Sequence, residues 1–139
     1  VSQEKDNLII VRLFPKENVF EQLRNICQKH NLKTGVVVSG IGKLNWVEVG
    51  FFKEKGNYLP QKFENPMEVV SVSGVISKNE NDFDFHLHIS LSGEDKKVFG
   101  GHFINGEVSI TLEMAIIKSD IKAKREAEKE TGLNGLYFD

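Results

Sequence analysis

The chain has 139 residues, 27% of them charged and 40% hydrophobic, with a formal net charge of -2, which suits one domain around a single core. That near-neutral balance supplies no global field to draw the chain onto a polyanion, and no apolar run approaches the roughly 18 residues of a membrane span. The lone Cys27 excludes an internal disulfide, and Val1 to Asn7 lacks the cationic-then-apolar layout of a signal peptide, so a cytoplasmic setting is expected.

In chain order, Leu8 to Phe14 is a short run rich in Ile and Val that ends at Pro15 and reads as a first strand. Val19, Phe20, Leu23, Ile26 and Cys27 then recur at three- and four-residue steps, predicting an amphipathic helix over Glu17 to His30. Lys29 and His30 stand at its negative end, and Cys27 falls on the apolar face as a small core residue. From Thr34 to Lys118 the pattern is strand and turn. Gly35 to Gly42 and Trp46 to Lys53 carry β-branched runs, Lys55-Gly56-Asn57 is a turn, and Tyr58 to Glu64 is a short strand. Glu68 to Ser77 is Val-rich, and Asn79 to Asp82 turns into the next strand.

That strand, Phe83 to Leu91, alternates without a fault. Phe83, Phe85, Leu87, Ile89 and Leu91 fall on one side, and Asp84, His86, His88 and Ser90 on the other. Ser92 to Asp95 turns the chain into Lys97-Val98-Phe99, and Val108, Ile110, Leu112, Met114 and Ile116 alternate along a last strand. Asp120 to Glu130 is rich in Lys, Glu and Ala and reads as a helix stopped by Gly132, followed by an apolar tail, Leu133 to Asp139, that needs a surface to dock on. Short turns between strands imply antiparallel pairing. The expected fold is therefore α+β: a bent, mostly antiparallel, barrel-like sheet with a packed N-terminal helix and a C-terminal helical tail. One domain spans 1–139, with its core at 8–118 and the helical extension at 119–139.

The alternation makes His86 and His88 neighbours on one polar face, and His102 follows one hairpin later in Gly100-Gly101-His102. Side chains two apart on a strand lie within roughly 7 Å, close enough to share one ion, and three imidazoles with an open fourth position is a known zinc arrangement. His86, His88 and His102 are thus candidate ligands for zinc or another divalent metal. Asp84 on the same face is a further ligand or a carboxylate that orients an imidazole, and Thr111 or Glu113 would serve likewise if the last strand is the neighbour on the other side. Gly100 and Gly101 remove side chains where something large must approach, or set the backbone that aims His102. A site of this kind would bind, or turn over, a small molecule.

Weaker motifs point elsewhere or nowhere. Gly35 to Gly42 lacks the Lys-Ser/Thr ending of a phosphate-binding loop, and no nucleophile elbow surrounds Ser71 or Ser73. Lys122, Lys124, Arg125 and Lys129 are offset by Asp120, Glu126, Glu128 and Glu130. A cupin would pair its His-x-His with a nearby Glu, but Glu94 falls in a turn too far along.

Taken in order, Arg12-Leu13 before the helix, Ser39-Gly40-Ile41-Gly42, Pro66 to Gly74, His86-Leu87-His88, Gly100-Gly101-His102-Phe103 and Gly106-Glu107-Val108 resemble the plants-and-prokaryotes conserved (PPC) domain. The resemblance runs from about Arg12 to Ile117. It implies an α+β fold assembled as a homotrimer, with a metal site at His86, His88 and His102. Stand-alone prokaryotic members are often labelled DNA-binding by kinship with plant proteins that carry an AT-hook, so a DNA-binding or transcription-related module is the alternative reading. The Arg-Gly-Arg-Pro core of the AT-hook is absent from this chain.

Overall fold

Burial alternates residue by residue along most of the chain, and the architecture follows from it. A computed structural model describes residues 1–139. Its elements are β1 (Ser2–Lys5), β2 (Leu8–Leu13), α1 (Val19–Lys29), β3 (Thr34–Glu54), β4 (Asn57–Phe63), β5 (Met67–Lys78), β6 (Phe83–Ser92), β7 (Val98–Ser119), β8 (Ala123–Ala127) and β9 (Asn134–Phe138). The main sheet runs β1-β2-β7-β6-β5-β3-β4, all antiparallel, with a further pairing of β7 to β3.

The runs Gly35 to Gly42 and Trp46 to Lys53 are one strand, β3, which pairs with β7 from Thr34↔Ser119 to Gly50↔His102. Register shifts between Val37 and Ser39 and between Gly42 and Trp46 bend this seam and let so long a pair wrap the core. The core is a single cluster in which Ile9, Val11 and Leu13 of β2 meet Leu112, Met114 and Ile116 of β7 and Leu87, Ile89 and Leu91 of β6.

The one helix closes that core. Asn18 caps it by accepting a hydrogen bond from the Glu21 N–H at 3.1 Å, and Val19, Phe20, Leu23, Ile26 and Cys27 are its buried stripe. Burial pushes the Cys27 thiol up to about 12, so it stays protonated and serves as packing. His30 ends the helix and ties it to β1: one ring nitrogen lies 2.8 Å from Ser2 Oγ and the other 3.0 Å from Glu4 Oε2.

The expected α+β class is corrected. Strands make up 67% of the chain and helix 8%, so the domain is mostly β with one short helix on it. Nor is the sheet a clear barrel: β7 pairs with β3 as well as with β6, but β1 and β4 remain as edges that a fully closed barrel would lack. The C-terminal helix is the largest error: 119–139 holds a separate two-stranded hairpin, β8 paired with β9 from Ala123↔Phe138 to Ala127↔Asn134. Local propensity favours a helix there, but tertiary bonds outweigh it. Thr34 Oγ1 donates to the Ile121 carbonyl at 2.7 Å and accepts from the Ala123 N–H at 3.4 Å, and Ala123 is buried. Lys124 meets Glu126 at 3.0 Å and Asp139 across the hairpin at 2.9 Å, pairings that suit a strand face better than a helix face. No helix of the chain is long and apolar enough to cross a membrane.

Candidate metal centre

The alternation of β6 sets the site. Phe83, Leu87, Ile89 and Leu91 are buried, while His86 and His88 project from the opposite face. Antiparallel pairing then places His88 directly across from His102 of β7. Ring centroids are 5.4 Å apart for His86 and His88, 5.6 Å for His86 and His102, and 5.6 Å for His88 and His102. This is nearly an equilateral triangle.

The arrangement is held from behind by α1. Phe20 packs edge-on against Phe85 at 5.3 Å and against Phe103 at 5.0 Å, and these two rings are the chain neighbours of His86 and His102 on the inward face. The glycines permit the approach of the strands. A side chain on Gly100 would strike the Ile89 carbonyl, and one on Gly101 would come within 2.7 Å of the Gly50 carbonyl oxygen of β3. Backbone proximity, and not an unusual dihedral angle, is the reason for both glycines.

The donor set fits a divalent ion. Ligand nitrogens of His86, His88 and His102 all lie within 4.8 Å of one another. Two nitrogens on one tetrahedral zinc are about 3.4 Å apart, so a closure of up to about 1.4 Å, by rotation of partly exposed side chains, brings them onto the ion. Partial burial lowers the proton affinity of two of these imidazoles. His86 is held below its ordinary 6.5 by desolvation first, then by the charges of Arg125 and His88. His102 is lowered by desolvation, then by His86 and His88. Both are therefore neutral, and ready to ligate, at pH 7.

That shift has a measurable sign. The folded-state values lie below the unfolded value near 6.5, so the stability these groups contribute is present above it and lost as pH falls through the folded values. In the metal-free protein, NMR titration of the imidazole protons is expected to give midpoints below 6.5 for His86 and His102; midpoints at or above 6.5 would contradict the partly desolvated site.

A cavity of about 890 Å³ opens over the three rings. Asp84 lines it, with its carboxylate accepting from Asn79 Nδ2 at 3.3 Å, as does Gly101. Thr111 and Glu113 do not. They lie roughly 30 Å farther along the continuous β7, where Glu113 pairs in register with Ile41 and Arg12, and Thr111 Oγ1 donates to Glu113 Oε1 at 3.2 Å. The strand flanking His102 on that side is β3, through Gly50.

Sequence reading missed the rest of the lining. Phe51, Phe52 and Tyr58 come from the β3–β4 hairpin, and Arg125, Leu133 and Asn134 from the C-terminal hairpin. Tyr58 stands edge-on to His102 at 6.2 Å, and burial raises its hydroxyl above the usual 10.0, so the phenol is protonated and available as a donor. The strand alternation of Val47, Val49 and Phe51 and the mixed charges near Arg125 gave no sign of a shared wall.

A mostly antiparallel sheet capped by one helix, with three imidazoles gathered in an open cavity, defines the class of domain. A family model for the Plants and Prokaryotes Conserved (PCC) domain matches residues 1–120. The chain belongs to that family, as its motifs suggested. Among solved structures it is similar to a candidate DNA-binding protein from Bacteroides thetaiotaomicron, at TM-score 0.92 and 23% identity over 99% of this chain and 96% of that one. It is also similar to a metal-containing protein from Archaeoglobus fulgidus, at TM-score 0.85 and 23% identity over 99% and 98% of the respective chains. At these identities the likeness is one of fold. A bifunctional protein GlmU from a Synechococcus strain is 23% identical over 130 residues, which are 92% of this chain and 20% of that protein, so the chain spans about a fifth of the length of the curated relatives it matches.

Proposed function

We propose that this domain binds a divalent ion, zinc or another, through His86, His88 and His102, and that it works as a homotrimer whose metal sites face small-molecule cavities. The observation that carries the metal is the convergence of three imidazoles within 4.8 Å beneath an open cavity. The metal-containing Archaeoglobus protein of the same fold supports it. When bound, such an ion would polarise a carbonyl oxygen or lower the pKa of a water. The chain's own residues hold the rings in register, keep two of them unprotonated and leave the cavity side accessible.

Support for the trimer is the outer face of the sheet. Leu8, Ile117 and Val36 sit side by side across β2, β7 and β3, and with Ile10, Val38, Ile41 and Ile110 they remain exposed in the single chain. So large an apolar face calls for a partner, and the family resemblance supplies the count of three. The lone unpaired thiol suits a cytoplasmic setting. DNA binding is weaker: it draws on the description of the Bacteroides protein, while Lys33, Lys118 and Lys124 are each already paired with carboxylates.

Elemental analysis of the purified protein after dialysis against zinc tests the reading. About one ion per chain is the expected result, and a metal content indistinguishable from buffer overturns it.

A further inference from the structure

Arg125 is the one strong cation in the histidine cavity, and the chain gives it no partner. Along β8 the side chains alternate: Lys124 and Glu126 pair on one face, while buried Ala123 and Arg125 share the other, turned toward the main sheet. The neighbouring acids are committed. Glu126 and Asp139 hold Lys124, and Glu128 accepts from Thr131 and Tyr137. Arg24 is tied to Asp82, and Arg12 lies over the Phe14 ring. The Arg125 side chain forms neither an ion pair nor a hydrogen bond, and it lines the same cavity as His86. Asp84, the carboxylate of that cavity, accepts from Asn79 Nδ2 at 3.3 Å and forms no ion pair with Arg125.

We infer that Arg125 is a recognition residue for a small organic carboxylate, whose apolar body lies against Phe51, Phe52 and Leu133 while its other end faces the three histidines. The inference takes the histidine cavity as the ligand site, and so rests on the proposed function. A planar guanidinium matches a carboxylate through two parallel hydrogen bonds. With a divalent ion below and Arg125 above, Asp84 alone leaves the cavity positively charged, and an anion is its complement. The aromatic walls favour a carbon body over a bare inorganic ion. Arg125 lines the same cavity wall space as all three histidines. Notably, Arg125 and Leu133 both follow residue 120, where the family match ends. Ligand choice would then reside in the appended hairpin while the histidines belong to the shared domain.

The test is calorimetric titration of acetate, hexanoate and phenylacetate against their neutral amides, on zinc-loaded and metal-free protein. Wild-type protein is expected to prefer hexanoate or phenylacetate over the amide by about tenfold or more, the discrimination of a charge-assisted hydrogen bond. Arg125→Gln should abolish that preference and Arg125→Glu should invert it, with zinc content and melting temperature unchanged. Saturable binding of none of these carboxylates overturns the inference. So does an unaltered preference in Arg125→Gln, including the case where that variant melts lower because the guanidinium braces the hairpin. If the protein binds no zinc yet the Arg125-dependent preference persists, the metal reading falls and this one stands.

Discussion

Replacing His86 and His88 together with alanine is expected to take bound zinc from about one ion per chain to none detectable. The fold should be untouched. Both side chains project from the exposed face of β6, where substitutions change stability by only about 0.5 kcal/mol, or about 2 °C in melting temperature for a domain this size. His102 alone supplies one nitrogen, too few protein ligands for zinc, whose sites take three or four. Elemental analysis beside a thermal melt separates the two effects. A double variant that keeps its full complement of zinc removes these residues from the ligand set.

Ile117→Glu is expected to convert the proposed trimer to monomers. Ile117 is 47% exposed in the single chain and is flanked in register by Leu8 and Val36. Burying an isoleucine contributes about 1.5–3 kcal/mol, and a carboxylate there adds a desolvation cost, so association should weaken by roughly 100-fold or more. Because the side chain points away from the core, the monomer should remain folded. Light scattering across a concentration series reads the result. A wild-type protein that is monomeric throughout would remove the trimer.

Much of the site could be read directly from the residue pattern. The unbroken alternation from Phe83 to Leu91 fixed which face carries His86 and His88, and the short Ser92–Asp95 turn implied that His102 would return beside them. What could not be read depended on contacts distant in sequence. β1 escaped notice because Ser2 to Lys5 is polar, although Asp6-Asn7, with φ of 52° and 64°, is the pair that a two-residue hairpin turn favours. The β3 and β7 strands looked like separate short pieces because glycines at 40, 42, 100, 101 and 106 interrupt their patterns. In the structure those glycines let strands pass close to one another. The C-terminal segment misled for a different reason. Its Ala, Lys and Glu content is that of a helix, whereas its conformation is decided by Thr34, a residue 87 positions away from Ile121.

The two rims of the sheet carry a consequence for behaviour at high concentration. On β4, Pro60 has no N–H to offer an incoming strand, and Lys62 nearby is charged; β1 is only four residues long, with Glu4 already bonded to Lys118. Such rims resist the strand-by-strand addition that builds fibrils. Association of this protein should therefore proceed through its broad apolar surface and stop once that is covered, giving discrete particles instead of open-ended polymers.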